Sequence, residues 1–342
     1  MLYKNFIKRF TLKTYADAPK YLPSVSVIRG VAALAVCLFH FTKGFIAKIS
    51  GVSFFIPYSW IGVEVFFVIS GFVIPYALIG SYFKSQHYKG YLFKRLIRIE
   101  PAYLVSIVLV LFLNYLSALV PFYQGEPFEI DWSNLALHLG YLVNFFDQTW
   151  LNPVYWTLAI EFQFYILIGL LILIWNNSNK YMILFTVLGF LALSFIPQDT
   201  VRFFKQTDIF TMGIVCAFYK RGRLDLIPFL FSTIVIGIII YINHHTVIVV
   251  LSYIAVYGIA FLHNLKQVGF LVFFGNISYS LYLLHIPIGG RVINLSKRLP
   301  LNDFGKMMAV ALAVVISIVS AYIFYKVVEQ PTHRFSKRFK LK

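Results

Sequence analysis

Arg29 and His40 are two ionisable residues inside one apolar, helix-length segment, SVIRGVAALAVCLFHFTKGF. At about 100° per residue, eleven residues bring His40 back to within roughly 20° of Arg29, with about 16 Å of rise between them. Ala33, Val36 and Cys37 lie between them and are small enough to let another helix or a thin substrate approach. Ionisable groups inside a membrane are costly and usually line a site or a pathway. The alternative is that Arg29 reaches the lipid headgroups and His40 is a packing residue.

Three further ionisable residues lie inside other apolar segments at depths comparable to that of His40. Glu64 is about one turn into the second segment, where it could fix the imidazole tautomer or stabilise the protonated ring. Glu161 is about two turns into WTLAIEFQFY, and His285 approaches the end of SYSLYLLH. The alternatives are structural ion pairs for the two carboxylates, and a helix-capping role for His285 before Pro287.

Arg95 and Arg98 are three residues apart in KRLIRIEP, so they share one helical face just before Pro101. They are either membrane-interface anchors or part of a site for a phosphate-rich ligand. Ser70, in the segment ISGF, is a weak candidate nucleophile, because small residues in membrane helices usually serve packing. The remaining histidines are assigned to loops or interfaces without a functional role: His87, His138, His244, His245, His263 and His333.

The composition is that of a polytopic membrane protein. The 342 residues are 60% hydrophobic, and the mean hydropathy is +0.78, more apolar surface than a water-soluble core could hold. The formal net charge of +17 is concentrated in short loops and at the termini, which fits anionic lipid and requires no nucleic acid. The two cysteines lie in apolar segments, and no metal-ligand spacing is present, so we expect no metal site.

Apolar runs of about 17–25 residues predict an all-α, polytopic transmembrane helix bundle of about ten spans. A shorter segment near residues 135–146 is expected to lie at the interface or to re-enter the bilayer. The predicted spans are 26–46, 60–82, 100–121, 154–175, 180–197, 204–220, 226–243, 246–263, 270–291 and 306–328.

The distribution of basic residues orients this bundle. The basic residues of both termini and of two connections fall on one side, which places both termini in the cytoplasm. An exception is the connection carrying Arg291, Lys297, Arg298 and Lys306, which falls outside. Either the charge rule is locally broken there, or this loop faces an anionic acceptor. The domain organisation is an amino-terminal tail (1–25), one membrane domain (26–330) and a basic tail (331–342).

Together, the intramembrane histidine, carboxylates and arginines favour acyl transfer over transport as the function. A buried imidazole beside a carboxylate suits a general base that deprotonates a hydroxyl, and cationic groups at the opposite mouth suit a phosphate-rich donor. A transporter of a polar solute or of a lipid-linked sugar is the alternative, because intramembrane charges also occur in transporters. No repeated half is visible in the sequence, which argues against that alternative.

Six motifs, in this order, resemble those of the acyltransferase-3 family of polytopic membrane proteins. They extend from about residue 24 to residue 334, and their joint order is specific although each motif alone is not. They read IRGVAALAVCLFHF, GVEVFFVISGFVI, KRLIRIEPAYL, WTLAIEFQFY, SYSLYLLHIPI and VEQPTHRF.

The resemblance implies a role for several of these residues. His40 is the expected catalytic base and Arg29 its partner, while Arg95 and Arg98 match the RxxR element of the family that is thought to contact acyl-CoA. Glu64 stands where the family often has Asp, so the charge is kept.

The resemblance also implies a bacterial inner-membrane O-acyltransferase that uses acetyl-CoA as donor. The acceptor is then a sugar hydroxyl of an O-antigen or exopolysaccharide, carbohydrate or lipid-linked. We expect Glu161, His285 and Ser70 to contact substrate.

Overall fold

The computed structural model describes residues 22–46, 62–79, 81, 83–120, 127–197, 202–262 and 269–338. Within these ranges all regular secondary structure is helical. Residues 1–21 of the predicted amino-terminal tail and residues 339–342 of the basic tail lie outside the described residues.

The α-helices of the described residues follow one another through short connections. They are α1 (Pro23–Thr42), α2 (Gly62–Leu78), α3 (Tyr88–Ala118), α4 (Trp132–Leu139), α5 (Tyr155–Asn177), α6 (Lys180–Ala192), α7 (Thr207–Lys220), α8 (Leu226–Asn243), α9 (Thr246–Phe261), α10 (Gly269–Leu284), α11 (Arg291–Ser296), α12 (Asp303–Phe324) and α13 (Gln330–Arg338).

Six helical stretches among the described residues are long and apolar enough to cross a membrane, so the chain is a multi-pass membrane protein. Each of the ten predicted spans overlaps one described helix. Because α2, α6, α7 and α9 are shorter than 18 residues, the count of about ten stays a prediction. The six stretches are Pro23–Thr42, Ser85–Ala118, Tyr155–Asn177, Leu226–Asn243, Gly269–Ser296 and Asp303–Arg338.

The short helix α7 lies inside the bundle and is buried from Thr207 to Tyr219. A helix that is apolar on all sides is stable when protein or lipid surrounds it, and here protein does. Its Gly213 packs directly on α2, where an added Cβ would lie 2.7 Å from the backbone nitrogen of Phe72. This close contact fixes α2, and with it Glu64 and Ser70.

Helices α1 and α10 are also in backbone contact. A Cβ added at Gly30 would lie 2.8 Å from the backbone nitrogen of Gly275, so a larger residue would separate the two helices. Ala33 and Cys37 are buried in one cluster with Ile277 of α10. Of the small-residue face predicted to admit a helix or a thin substrate, Ala33 and Cys37 are therefore covered by a helix, whereas Val36 lines a cavity together with His40.

Helix α3 begins earlier than the predicted span over 100–121. It starts at Tyr88 and continues through Pro101, so Arg95 and Arg98 lie within the helix rather than before it. A proline removes one backbone hydrogen bond and can be accommodated when neighbouring helices pack on both sides of it.

Two π-helical segments interrupt the long helices, at His285–Gly290 and Tyr325–Glu329. In the first, Pro287 has no N–H to donate to the carbonyl of Leu283, four residues earlier. The side chain of Asn152 donates to that carbonyl instead, at 3.0 Å. Wider turns of this kind are frequent at functional sites, and these two carry His285 and Glu329.

The segment predicted not to cross the membrane contains α4 and a short 3₁₀ turn, Val143–Phe146. His138, at the end of α4, is fully buried. Its Nδ1–H donates to the carbonyl of Asn134 at 2.9 Å, and its Nε2 accepts from the backbone N–H of Leu151 at the same distance. The imidazole therefore joins two parts of this segment, which supports a structural role.

We predict that His138 makes the stability of this segment depend on pH. Burial lowers the pKa of His138 below its ordinary value, so the unfolded chain takes up the proton first as pH falls. The stabilising contribution is complete above about pH 6.5 and decreases below it. His138→Gln should cost about 1–3 kcal/mol at pH 8, and the difference from wild type should narrow toward pH 5.

Thermal unfolding of both proteins in the same detergent, from pH 8 to pH 5, measures this difference. A gap between the two proteins that stays constant over that range would contradict the assignment to His138.

Candidate functional site

His40 and His285 lie side by side. His40 is in the last turn of α1, and His285 is the first residue of the π-helical segment after α10. Their ring centroids are 5.2 Å apart, with the ring planes inclined by 48°. The backbone contact of α1 with α10 is what brings these rings together.

The protonation state of His285 follows from its hydrogen bonds. Its Nδ1 lies 2.8 Å from the carbonyl oxygen of Tyr282 and 3.1 Å from that of Leu281. Carbonyl oxygens only accept, so Nδ1 carries the proton and Nε2 is left as an acceptor. Nε2 is buried and has no hydrogen-bond partner among the described residues. A buried acceptor without a partner is costly, and His40 is the neighbouring ring.

Glu64 and His40 line one cavity of about 760 Å³, which we call the Glu64 cavity. The carboxylate is buried, and its Oε2 has no hydrogen-bond partner among the described residues. Glu64 therefore shares a cavity with the imidazole, whereas the ring in contact with His40 is that of His285. Trp156 also lines this cavity, with the Arg202 guanidinium 5.6 Å from its ring centroid.

His40 also lines a second cavity, of about 720 Å³, which we call the Arg291 cavity. Both volumes fall in the range typical of small-molecule sites. The polar and charged residues that line the Arg291 cavity are His40, Asn114, Ser117, Asn152, Arg291, Asn294, Lys297 and Arg298.

Arg29, at the other end of the predicted face of α1, lines a different and narrower cavity of about 110 Å³, the Arg98 cavity. It brings together six helices and one π-helical segment around a cationic centre. Its polar and charged residues are Arg29, Ser70, Arg95, Arg98, Thr157, Glu161, Tyr165, Ser278, Tyr279, Tyr282, Glu329 and His333.

The two carboxylates of the Arg98 cavity are bound by hydroxyl groups. Glu161 accepts from Ser70 at 2.7 Å and from the hydroxyl of Tyr165. Glu329 accepts from Ser280 at 2.6 Å. The hydroxyl of Ser70 is thus held by a carboxylate, and the two acids are oriented by neutral partners.

The three arginines of this cavity form no ion pair within 4.0 Å to any carboxylate of the described residues. Arg95 lies instead over the rings of Tyr91 and Tyr165, at 5.8 and 5.7 Å. Three guanidinium groups converge here with two carboxylates, which leaves an excess of positive charge that favours an anionic ligand. Their planar, forked donors match the oxygens of phosphate.

Val63 and Tyr282 line both the Arg98 cavity and the Glu64 cavity, so they form the wall between the two. The Tyr282 hydroxyl is 2.7 Å from the hydroxyl of Thr157, which fixes the ring across the wall. Any group passing from the arginines to His40 by this route must cross at these side chains.

Glu161 is not next to His40, where its predicted depth along the helix had placed it. The count along single helices grouped Glu161 with His40, but Glu161 lines the Arg98 cavity with the arginines. Depth along one helix ignores the tilt of that helix and the reach of arginine side chains.

The sequence interpretation also missed several lining residues. His333, assigned no function, lines the Arg98 cavity, and His244 and His245 line the Glu64 cavity. The position of Glu329 and His333 in VEQPTHRF, one of the six family-like motifs, was the available signal for the first of these.

Comparison with known proteins gives one family. The model of a family described as an acyltransferase domain, acyltransferase-3, matches residues 22–326 of the chain. The chain is 28% identical to the O-acetyltransferase OatA of Staphylococcus aureus over 221 residues, covering 59% of the chain and 35% of that protein.

A second relative is the peptidoglycan O-acetyltransferase OatA of Listeria monocytogenes, 26% identical over 212 residues, which cover 57% of the chain and 31% of that protein. The chain thus spans about a third of the length of these relatives in the matched regions. No solved structure matches the chain.

Proposed function

Because the chain belongs to the acyltransferase-3 family, we propose that it is a membrane O-acyltransferase that moves an acetyl group from acetyl-CoA to a hydroxyl of a surface glycan. The observation that carries this proposal is the division of α1 between two kinds of cavity. Arg29 lines a narrow cationic cavity, and His40 lines two cavities of ligand size beyond the Val63 and Tyr282 wall.

The Arg98 cavity is the proposed donor site. CoA carries phosphates that suit Arg29, Arg95 and Arg98, and the narrow, partly apolar space beyond them suits its thin pantetheine arm. In the proposed orientation this cavity faces the cytoplasm, where the basic loops and both termini lie, in the inner membrane of a bacterium.

The acceptor enters the cavities that His40 lines. A glycan is supported by their size and by the names of the relatives, and the specific acceptors that we propose are O-antigen or exopolysaccharide. The name of the Listeria relative adds peptidoglycan to the candidates. Trp156 in the Glu64 cavity offers a flat ring against which a sugar could pack.

In the transfer step, His40 accepts the proton of the acceptor hydroxyl while its oxygen attacks the thioester carbonyl of acetyl-CoA. The new C–O ester bond forms and the C–S bond breaks. The CoA thiolate leaves toward the Arg98 cavity and takes up a proton. Glu64, in the same cavity as His40, is the group that can stabilise the imidazolium.

His285 is proposed to position His40. Its Nε2 is an acceptor with no partner among the described residues, so it can receive the N–H of the His40 ring directly or through a water. The other nitrogen of His40 is then the proton acceptor that faces substrate. In this arrangement the buried, neutral imidazole of His285 orients the His40 ring, a role that a carboxylate often has in enzymes.

We predict that His40→Ala abolishes acetylation of the surface glycan, because among the described residues His40 is the only titratable side chain that lines both cavities of ligand size. Loss of a general base lowers rates by about 10²- to 10⁴-fold. Mass spectrometry and NMR of surface polysaccharide, from cells with the wild-type gene, the variant or neither, measure the transferred acetyl groups and the modified hydroxyl.

Membrane insertion and acetyl-CoA binding of the His40→Ala variant should equal those of the wild type. Full acetylation by His40→Ala would remove His40 from the mechanism.

His285→Ala should reduce kcat and displace the pH profile of kcat while leaving donor binding intact.

We predict that Arg95→Ala and Arg98→Ala each raise the KM for acetyl-CoA by about tenfold to a hundredfold, the usual cost of one charge-assisted hydrogen bond. Lys94→Ala is the matched control, since Lys94 is on the same helix and does not line the Arg98 cavity. Donor titrations in proteoliposomes measure the difference. If donor dependence is unchanged, the two arginines act only as interface anchors.

We predict that Val63→Phe blocks transfer and preserves donor binding, because a larger ring fills the wall between the two cavities. Transfer should fall by at least about tenfold, with an unchanged Kd for acetyl-CoA. Val63→Ala is the control and should retain transfer. Normal transfer by a well-folded Val63→Phe protein would show that the acetyl group takes another route.

A further inference from the structure

The Arg291 cavity is not explained by acetyl transfer alone. His40 lines it at one side and three cationic residues, Arg291, Lys297 and Arg298, line it at another. No carboxylate occurs among its described lining residues. An excess of positive charge among the described lining residues favours an anionic ligand.

The first of these cations is held in place by the fold. The guanidinium of Arg291 donates to the carbonyl of Pro287 at 2.6 Å and to the side chain of Asn114 at 2.7 Å. These two neutral oxygens orient the guanidinium. Arg291 therefore contributes a fixed positive potential to the cavity next to the π-helical segment.

The other two cations are exposed and form no ion pair with any described residue. Lys297 and Arg298 follow directly after α11, and neither is within 4.0 Å of a described carboxylate. Lys306, in the same connection, pairs with Asp303 at 3.4 Å and does not line the cavity. The two cations that lack a carboxylate partner are thus the ones that face the space shared with His40.

Much of the remaining wall is apolar, and part of it belongs to α3. Val110, Leu113 and Leu116 line the cavity from that helix, and Leu116 is 41% exposed. A wall of this kind, in a helix that crosses the membrane, suits a hydrocarbon chain. The cavity therefore combines cations with an apolar surface, which matches a lipid that carries a phosphate.

The predicted location of this connection, on the outer side of the membrane, also supports a lipid phosphate as the ligand. The loop charges place this connection outside, opposite the other basic loops, which runs against the usual bias of lysine and arginine. Bilayer lipid headgroups could neutralise Lys297 and Arg298, but they would not account for a cavity that continues to His40.

We propose that the Arg291 cavity binds the phosphate of a lipid-linked glycan acceptor. The phosphate contacts Lys297 and Arg298, the hydrocarbon chain lies along α3, and the sugar extends toward His40. The position of the phosphate and chain is independent of the chemistry at His40, whereas the presentation of the sugar rests on the proposed function.

Binding of farnesyl diphosphate to the purified full-length protein, in phosphatidylcholine nanodiscs, tests the proposal. The wild type should bind farnesyl diphosphate and should not bind farnesol at the same concentration. The double variant Lys297→Gln/Arg298→Gln should bind it at least about tenfold more weakly, because charge-assisted contacts to the phosphate are lost. Lys306→Gln is the matched control and should bind like the wild type.

Equal affinity of the double variant and the wild type would overturn the proposal. Displacement of the probe by phosphatidylglycerol at equal mole fraction would also overturn it, because the cavity would then accept any anionic headgroup.

A transfer assay separates this inference from the proposed function. With a diphosphate-linked lipid sugar as acceptor, the double variant should raise the KM for acceptor about tenfold and leave the KM for acetyl-CoA unchanged. A wild-type protein that binds farnesyl diphosphate but acetylates no glycan would contradict the proposed function only. A protein that acetylates this acceptor with the same KM in both forms would contradict the inference only.

Discussion

The backbone contact between α1 and α10 is the constraint on which the site depends. Gly30 and Gly275 allow these helices to approach so closely that no side chain fits between them. That approach sets the His40 and His285 rings 5.2 Å apart at one end of α1 and leaves Arg29 in a different cavity at the other. α10 covers Ala33 and Cys37 of the small-residue face, and Val63 and Tyr282 line both the Arg98 cavity and the Glu64 cavity.

The two π-helical segments carry polar groups that contribute to the site. The π-helical segment at Pro287 releases the carbonyl of Leu283, which Asn152 then occupies, and the same segment begins with His285. The segment before α13 ends at Glu329, whose carboxylate Ser280 binds. Both departures from α-helical geometry occur where family-like motifs lie, and the neighbouring helices satisfy the groups that they expose.

The Arg98 cavity and the Arg291 cavity differ in the charged groups that line them, and this difference matches the two ligands that we propose. In the Arg98 cavity the carboxylates are bound by hydroxyl groups, and the arginines have no ion-pair partner among the described residues. In the Arg291 cavity the cations face an apolar wall and His40. A donor rich in phosphate and an acceptor carried on a lipid phosphate would thus approach the same imidazole from opposite sides of the bundle.

The sequence by itself determined the helices, the family-like motifs and the shared face of Arg29 and His40, because apolar periodicity and angular spacing are local properties of one helix. It did not predict that His285 adjoins His40, that Glu161 lies with the arginines, or that His333 lines their cavity. It also began the third span at residue 100, whereas the helix begins at Tyr88. Those features depend on which helices pack together, on their tilt and on π-helical turns, and only the tertiary structure decides such non-local contacts.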